Sequence, residues 1–173
     1  MNPIAVSFFA ALASLAFADG STSPPVTAAN EFRASLKGID ELQVYEGLPH
    51  PKAEPELTAQ ELKREDIMLI GGFPFYTPAV TAKDSAELKK LLRNGNTFLK
   101  FSGEKFCGGY HPDYAVSWKA DEKTYYALIC FGCREVLLVE GKQSLRYDLA
   151  ERAFESFWEL LKPHALKRPK PTK

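Results

Sequence analysis

Apolar and polar residues alternate with a period of two along most of the chain after residue 96, a pattern typical of strands with one buried face. Short connections separate the last four of these stretches, which indicates antiparallel hairpins between consecutive strands. The predicted strands are Thr97–Phe101, Tyr114–Lys119, Thr124–Cys130, Arg134–Glu140 and Ser144–Tyr147. The second half of the chain is therefore predicted to be an antiparallel β-meander of about five strands.

Apolar residues at helical spacing predict helices on either side of this meander. The predicted helices are Ala28–Lys37, a short helix after Thr58, the segment from Asp84 to Arg93, and a last helix capped by Asp148. Two further stretches, Ile39–Tyr45 and Ile67–Tyr76, are strand-like, and we expect the pair Gly71–Gly72 to form a bulge or bend in the second. These elements predict an α+β fold in which roughly two or three helices cover the meander.

The N-terminal segment is predicted to be a secretory signal peptide. Ile4–Ala18 is almost entirely apolar and ends in a small-x-small pattern typical of a cleavage site. Because this run is too short to span a bilayer easily, cleavage and export to the periplasm or the exterior is the first interpretation, and a retained anchor is the second. The predicted organisation is a signal peptide over 1–18, a flexible leader over 19–26, one domain over 27–164, and a disordered basic tail over 165–173.

Length and charge narrow the classes of function. The chain has 173 residues, which suits one domain, and its 22 Lys and Arg residues balance 22 Asp and Glu residues. Nucleic-acid binding relies on a basic surface that displaces counterions, so the sequence offers no basis for a nucleic-acid partner. We also expect no integral membrane span once the signal is cleaved, because no later segment is apolar for long enough.

All three cysteines of the chain lie between residues 107 and 133, together with one of the three histidines. Cys107 and His111 have C-x3-H spacing, and Cys130 and Cys133 form a C-x2-C pair. Thiolate and imidazole are the usual ligands of structural zinc, which is held by four donors in a tetrahedron. The pattern predicts a zinc site made of these four residues.

The predicted strand register supports this grouping. The hairpin before the C-x2-C pair should place Tyr114 opposite Ile129, so that residues just before Tyr114 lie next to the end of the following strand. A tight turn at Phe131–Gly132 should then place Cys133 opposite Cys130. All four donors are therefore expected at one end of the sheet.

Two more residues are candidates for this site. Asp113 is close enough in sequence to accept the second ring N–H of His111 and to orient that ring. His50 lies between Pro49 and Pro51, which restrict its backbone, and is a secondary candidate. If His50 approached the cysteines, a site with one open position would become plausible.

Export leaves other chemistry open for the cysteines. In an oxidising compartment one disulfide could form, either between Cys130 and Cys133 or between Cys107 and one of them, and the protein would be a disulfide-stapled interaction module. Alternatively, Cys130 and Cys133 could form a thiol–disulfide exchange motif, although such motifs normally begin a helix and this one lies between strands. A nucleophilic Cys107 assisted by His111 and Asp113 is the remaining interpretation, and no oxyanion-hole pattern accompanies it.

Three motifs together resemble those of uncharacterised exported bacterial proteins. They are Gly47-Leu48-Pro49-His50-Pro51, Cys107-Gly-Gly-Tyr-His-Pro-Asp-Tyr114 and Cys130-Phe-Gly-Cys133. The resemblance covers most of the mature chain and implies a bacterial, exported domain without an assigned activity. From the residues themselves, we expect the Cys/His cluster to bind zinc as a structural metal, in a protein with a binding or structural role and no catalytic residue.

Overall fold

The computed structural model of the protein describes residues 26–106 and 108–169. The predicted signal peptide and nearly all of the predicted leader lie outside the described residues, as do Cys107 and residues 170–173. The described helices are α1 (Val26–Ser35), α2 (Pro55–Glu61), α3 (Ser85–Arg93) and α4 (Glu151–Leu161), the last continuing into a 3-10 turn at Lys162–His164.

The strands form one large sheet and one small one. They are β1 (Gln43–Glu46), β2 (Ile67–Ile70), β3 (Phe73–Tyr76), β4 (Val80–Thr81), β5 (Phe98–Lys100), β6 (Tyr114–Ala120), β7 (Lys123–Cys130), β8 (Glu135–Glu140) and β9 (Gln143–Leu149). Seven of them form an antiparallel sheet in the order β4-β1-β6-β7-β8-β9-β5, and β2 pairs with β3 separately. The α+β class is confirmed, but the predicted number of about five strands is wrong because β1 and β4 extend the meander on one side.

The register of the central hairpins decides where the cysteines lie. Tyr114 is opposite Ile129, as predicted. The turn between β7 and β8 is longer than predicted, since Cys130 is opposite Glu135 and the turn ends at Arg134 with a φ of 55°. The prediction that Cys133 pairs with Cys130 is therefore wrong, and Cys133 lies within the turn.

The segment Ile67–Tyr76 forms a complete hairpin rather than one bent strand. Gly71 and Gly72 have φ values of 58° and 86°, so they occupy the two central positions of a tight turn between β2 and β3. The predicted bulge is wrong for this reason: both glycines supply a left-handed backbone, which a two-residue hairpin requires.

The large sheet is covered on both faces. Helices α1, α3 and α4 pack on one face through a core that includes Phe32, Leu88, Phe157 and Ile129. The β2–β3 hairpin packs on the other, which we call the hairpin face, where Ile70 and Phe75 contact Ala115, Leu128 and Val139. Because side chains alternate along a strand, Cys130 and Glu135 lie on this same hairpin face.

Asp148 does not cap the last helix. Helix α4 begins after Ala150, and Asp148 is the sixth residue of β9. Its carboxylate instead accepts hydrogen bonds from the Ser102 hydroxyl and from Lys105 Nζ, at 2.6 and 2.8 Å. The carboxylate therefore fastens the segment after β5 to the sheet.

The predicted disordered tail is ordered over its first residues. The backbone N–H groups of Leu166 and Lys167 donate to Oε2 of the buried Glu46, at 2.8 and 2.6 Å. The guanidinium of Arg168 donates to the carbonyl of Gly47 at 2.9 Å. The prediction of disorder from residue 165 is wrong over 165–169 because this segment satisfies a buried carboxylate that no other backbone group reaches among the described residues.

Candidate functional site

The predicted site lies at one end of the hairpin face, where β7 ends and the segment 101–113 crosses the sheet. Cys130 is the last residue of β7, and His111 and Asp113 directly precede β6. The backbone N–H of Asp113 donates to the carbonyl of Ile129 at 2.7 Å, so that the segment continues the β6–β7 ladder. The expectation that these residues meet at one end of the sheet holds for His111, Cys130 and Cys133, and Cys107 lies outside the described residues.

Cys130 is a free, buried thiol with a relative exposure of 2%. Its Sγ accepts the backbone N–H of Cys133 at 3.3 Å and also the backbone N–H of His111. Burial raises the pKa of the Cys130 thiol, and these two N–H donors oppose that shift only in part. A thiol that stays protonated and buried is a poor nucleophile.

Cys133 is in a different chemical state, since it takes part in a disulfide bond. Its Sγ lies 3.5 Å from the carbonyl oxygen of Gly109, so the turn between β7 and β8 touches the segment 101–113. Because Cys130 is free, the partner sulfur of this disulfide lies outside the described residues. A disulfide sulfur carries no negative charge and cannot act as a thiolate ligand in this state.

His50 lies next to His111, a proximity that could not be predicted from the sequence. The two ring centroids are 4.8 Å apart with the rings tilted by 43°. Nδ1 of His50 accepts the backbone N–H of Lys52 at 3.1 Å, so a neutral His50 carries its proton on Nε2. A nitrogen that carries a proton has no lone pair for a metal, so this hydrogen bond disfavours His50 as a zinc ligand.

The ring of His111 is buried and donates a hydrogen bond to the backbone carbonyl of Leu48. Burial lowers the pKa of His111, and the nearby charges of Arg168 and His50 act in the same direction, whereas Asp113 opposes them. Asp113 does not orient the ring as predicted. Its Oδ2 accepts the backbone N–H of Phe131 at 2.8 Å, so this carboxylate caps the turn between β7 and β8.

Two glycines allow the His50 segment to lie this close to the segment 101–113. A Cβ atom on Gly47 would lie 2.2 Å from the carbonyl oxygen of Pro112, which is far inside van der Waals contact. A Cβ atom on Gly108 would lie 3.1 Å from Cε1 of His50, and Gly108 has a φ of 88°. The glycines in the two motifs therefore serve the packing of one loop on the other.

Sequence reasoning missed the residues that hold the segment 101–113 on the sheet. The carboxylate of Glu135 is fully buried and accepts from Arg146 at 2.6 Å, while its other oxygen lies 3.4 Å from Lys105 Nζ. The Arg146 guanidinium lies over the rings of Phe101 and Tyr110, 4.6 and 4.9 Å from their centroids. A charged residue at an apolar position of a strand was the available signal for Glu135, and it requires a buried cation.

The hydroxyl of Tyr110 makes a hydrogen bond to the backbone of both β7 and β8. Its hydroxyl donates to the carbonyl of Leu128 and accepts the backbone N–H of Leu137 at 3.0 Å. Leu128 and Leu137 are opposite each other in the register, so one hydroxyl contacts both strands at the same position of the ladder. The segment 101–113 is thus built into the sheet.

Within 26–106 and 108–169, no three His, Cys, Asp or Glu side chains converge as a metal site would require. The same ranges contain no helix with the length and apolarity needed to cross a membrane. No protein-family model, curated protein or solved structure matches the chain. The chemistry of the site therefore has to be argued from its own geometry.

The buried histidines predict a dependence of stability on pH. Burial lowers the pKa of both His111 and His164, so the unfolded chain binds more protons than the folded protein at mildly acidic pH. The free energy of unfolding should be highest above the unfolded pKa and should fall as the pH is lowered from about 7 to about 5. Urea titrations at several pH values measure this slope.

Each histidine should account for part of that slope. His111→Gln and His164→Gln should each flatten it, and the double variant should flatten it most, because glutamine does not titrate. A slope that stays unchanged in the double variant contradicts this prediction and assigns the acid sensitivity to other groups.

Proposed function

We propose that the protein is an exported, disulfide-stapled binding module, and that the disulfide joins Cys133 to Cys107. The observation that carries this proposal is the difference between the two cysteines of the C-x2-C pair: Cys133 is disulfide-bonded, whereas Cys130 is a free and buried thiol. The chain has three cysteines, so Cys107 is the remaining candidate for the partner. An oxidising compartment, which the N-terminal sequence predicts, favours such a bond.

The staple would close the segment 101–113 over the end of the hairpin face. This segment carries Phe106, whose side chain is completely exposed, and it borders a cavity of about 280 Å³ together with Lys52 and Arg146. A large apolar side chain in water beside a cavity is a feature of recognition surfaces. The His50 segment lies against the same loop at Gly108, so the two segments would belong to one recognition surface.

The environment of Cys130 argues against a role in thiol–disulfide exchange. Exchange requires a thiolate, but burial raises the pKa of Cys130. Cys130 and Cys133 also lie at a hairpin turn, without the helix N-terminus that lowers the pKa of the first cysteine in redox motifs. We therefore assign this pair a structural role.

Structural zinc is a second candidate, which one observation favours. Cys130 Sγ accepts two backbone N–H groups, and metal-bound thiolates are commonly held in this way. Zinc binding by Cys107, His111, Cys130 and Cys133 would require Cys133 to be reduced, because each ligand must be a deprotonated thiol or a neutral imidazole.

Thiol counting together with metal analysis tests these functions on secreted protein purified without a His tag. The stapled module predicts no reactive thiol in the native protein, one thiol in denaturant, and less than about 0.1 zinc per chain. Cys133→Ser should release a second thiol, whereas Cys130→Ser should leave none. Peptide mapping should recover a Cys107–Cys133 disulfide.

Other outcomes of this experiment identify the alternatives. One zinc per chain with three protected thiols supports the metal site, and it contradicts the staple. A Cys130–Cys133 disulfide that is reduced and reformed in a mildly oxidising buffer supports the exchange motif. Secretion itself is tested by fractionation of expressing cells, in which the protein should leave the cytoplasm without its first 18 residues.

A further inference from the structure

Strand β2 has an edge that no strand occupies among the described residues, since β3 pairs with its other side. The turn at Gly71–Gly72 has two residues, so the flanking pair Ile70 and Phe73 exchanges backbone hydrogen bonds. Bonded and non-bonded pairs alternate in an antiparallel hairpin, and the next pair is Leu69 with Pro74, which has no N–H. The N–H and C=O of Leu69 therefore point away from β3.

This edge lacks the charged residues and prolines that normally prevent an edge strand from pairing with another chain. The sequence Ile67-Met-Leu-Ile70 has no charged residue and no proline, and the Leu69 side chain is 69% exposed. The two edge strands of the large sheet are shorter, with two residues in β4 and three in β5. Strand β2 is thus the described edge that most favours pairing with another strand.

We propose that β2 is a self-association surface, at which two copies of the chain pair antiparallel across a two-fold axis through Leu69. In an antiparallel bonded pair, two opposite residues exchange both N–H···O=C bonds, so the outward groups of each Leu69 are satisfied by those of the other. The two side chains then lie on the same face, next to each other, and both leave water.

A second copy of the chain fits this edge because Leu69 combines the two properties that a partner strand needs. The partner must offer an outward-facing backbone pair and, at the same position, an apolar side chain that needs to be covered. Leu69 has both properties, and a two-fold interface brings each residue on its axis against itself. The resulting small sheet would have four strands, with the two copies of β2 at its centre.

Sedimentation velocity on the secreted protein, from about 1 to about 200 µM, tests the proposal by measuring the dimer dissociation constant. Leu69→Pro removes the outward N–H without removing a bond between β2 and β3. Leu69→Lys keeps the backbone but places two like charges together on the axis. Each should raise the dissociation constant at least about tenfold.

Leu99→Lys is the matched control, because Leu99 is a 49% exposed leucine on β5, one of the two edge strands of the large sheet. It should leave the dissociation constant unchanged. Thermal melts by circular dichroism show whether each variant is folded, and if Leu69→Pro is unfolded, Leu69→Lys decides. A wild-type protein that stays monomeric at every concentration overturns the proposal, and so does a dimer that Leu69→Lys leaves intact.

Discussion

Arg146→Met should lower the free energy of unfolding by about 3 kcal/mol, because it leaves the carboxylate of Glu135 buried without its closest cation. Glu135 has no solvent exposure, so water cannot replace the guanidinium. Lys105 remains 3.4 Å from the other carboxylate oxygen and still neutralises part of its charge. The expected loss of unfolding free energy therefore lies at the lower end of the range for broken buried ion pairs. The variant also loses the contact of the guanidinium with the rings of Phe101 and Tyr110. Urea denaturation near pH 7 measures the change.

Two comparisons show whether the unpaired carboxylate causes the loss. Arg134→Met removes an arginine that also covers an aromatic ring but pairs with the exposed Glu151, and it should cost at most about 1 kcal/mol. The double variant Arg146→Met with Glu135→Leu removes both charges and should be more stable than Arg146→Met alone. Equal losses in Arg146→Met and Arg134→Met would falsify the assignment.

Tyr110→Phe should lower the free energy of unfolding by about 1–3 kcal/mol, although it removes a single oxygen atom. The hydroxyl donates to the carbonyl of Leu128 and accepts the N–H of Leu137, and the variant loses both of these hydrogen bonds. Burial raises the pKa of Tyr110, which indicates that its hydroxyl is shielded from water, so no solvent replaces the lost bonds. Thermal and urea unfolding measure the change.

Tyr126→Phe provides the control for this prediction. Tyr126 lies on the hairpin face of β7, two residues before Leu128, and is half-buried, so its hydroxyl is closer to water. Its removal should change the free energy of unfolding by less than about 0.5 kcal/mol. If Tyr110→Phe has as small an effect, the two hydrogen bonds of the Tyr110 hydroxyl do not stabilise the fold as predicted.

The meander was predictable because it is determined by sequence patterns within each strand and its adjacent turns. Alternation along each strand and the short hairpin connections sufficed to place Tyr114 opposite Ile129. For the turn after Cys130, the position was predicted correctly and the length was not. The turn extends to Arg134, which adopts a left-handed backbone that its residue type does not indicate. Asp148 shows a similar limit: its spacing suits a helix cap, but a tertiary contact with Lys105 decides its role.

The site was predictable in position and only partly in chemistry. Register alone brings His111 and the C-x2-C pair to one end of the sheet, and this follows from strand pairing. The approach of His50 to His111 was not predictable, because it depends on contacts between loops that are 61 residues apart in sequence. The different states of Cys130 and Cys133 were not predictable either, because the spacing within the motif does not encode which of the two sulfurs is free.

The docking of Leu166 and Lys167 onto Glu46 limits the order in which parts of the chain can fold during synthesis. The carboxylate of Glu46 belongs to β1, which is synthesised early, whereas its two N–H donors are among the last residues of the described chain. A ribosome holds the most recently added residues of the chain in its exit tunnel, so these two hydrogen bonds form only after Lys167 has left the tunnel. Strand β5 likewise waits for β9, its only strand neighbour among the described residues. The environment of β1 is therefore completed late, and a chain stopped before residue 166 would keep a buried acid without its donors.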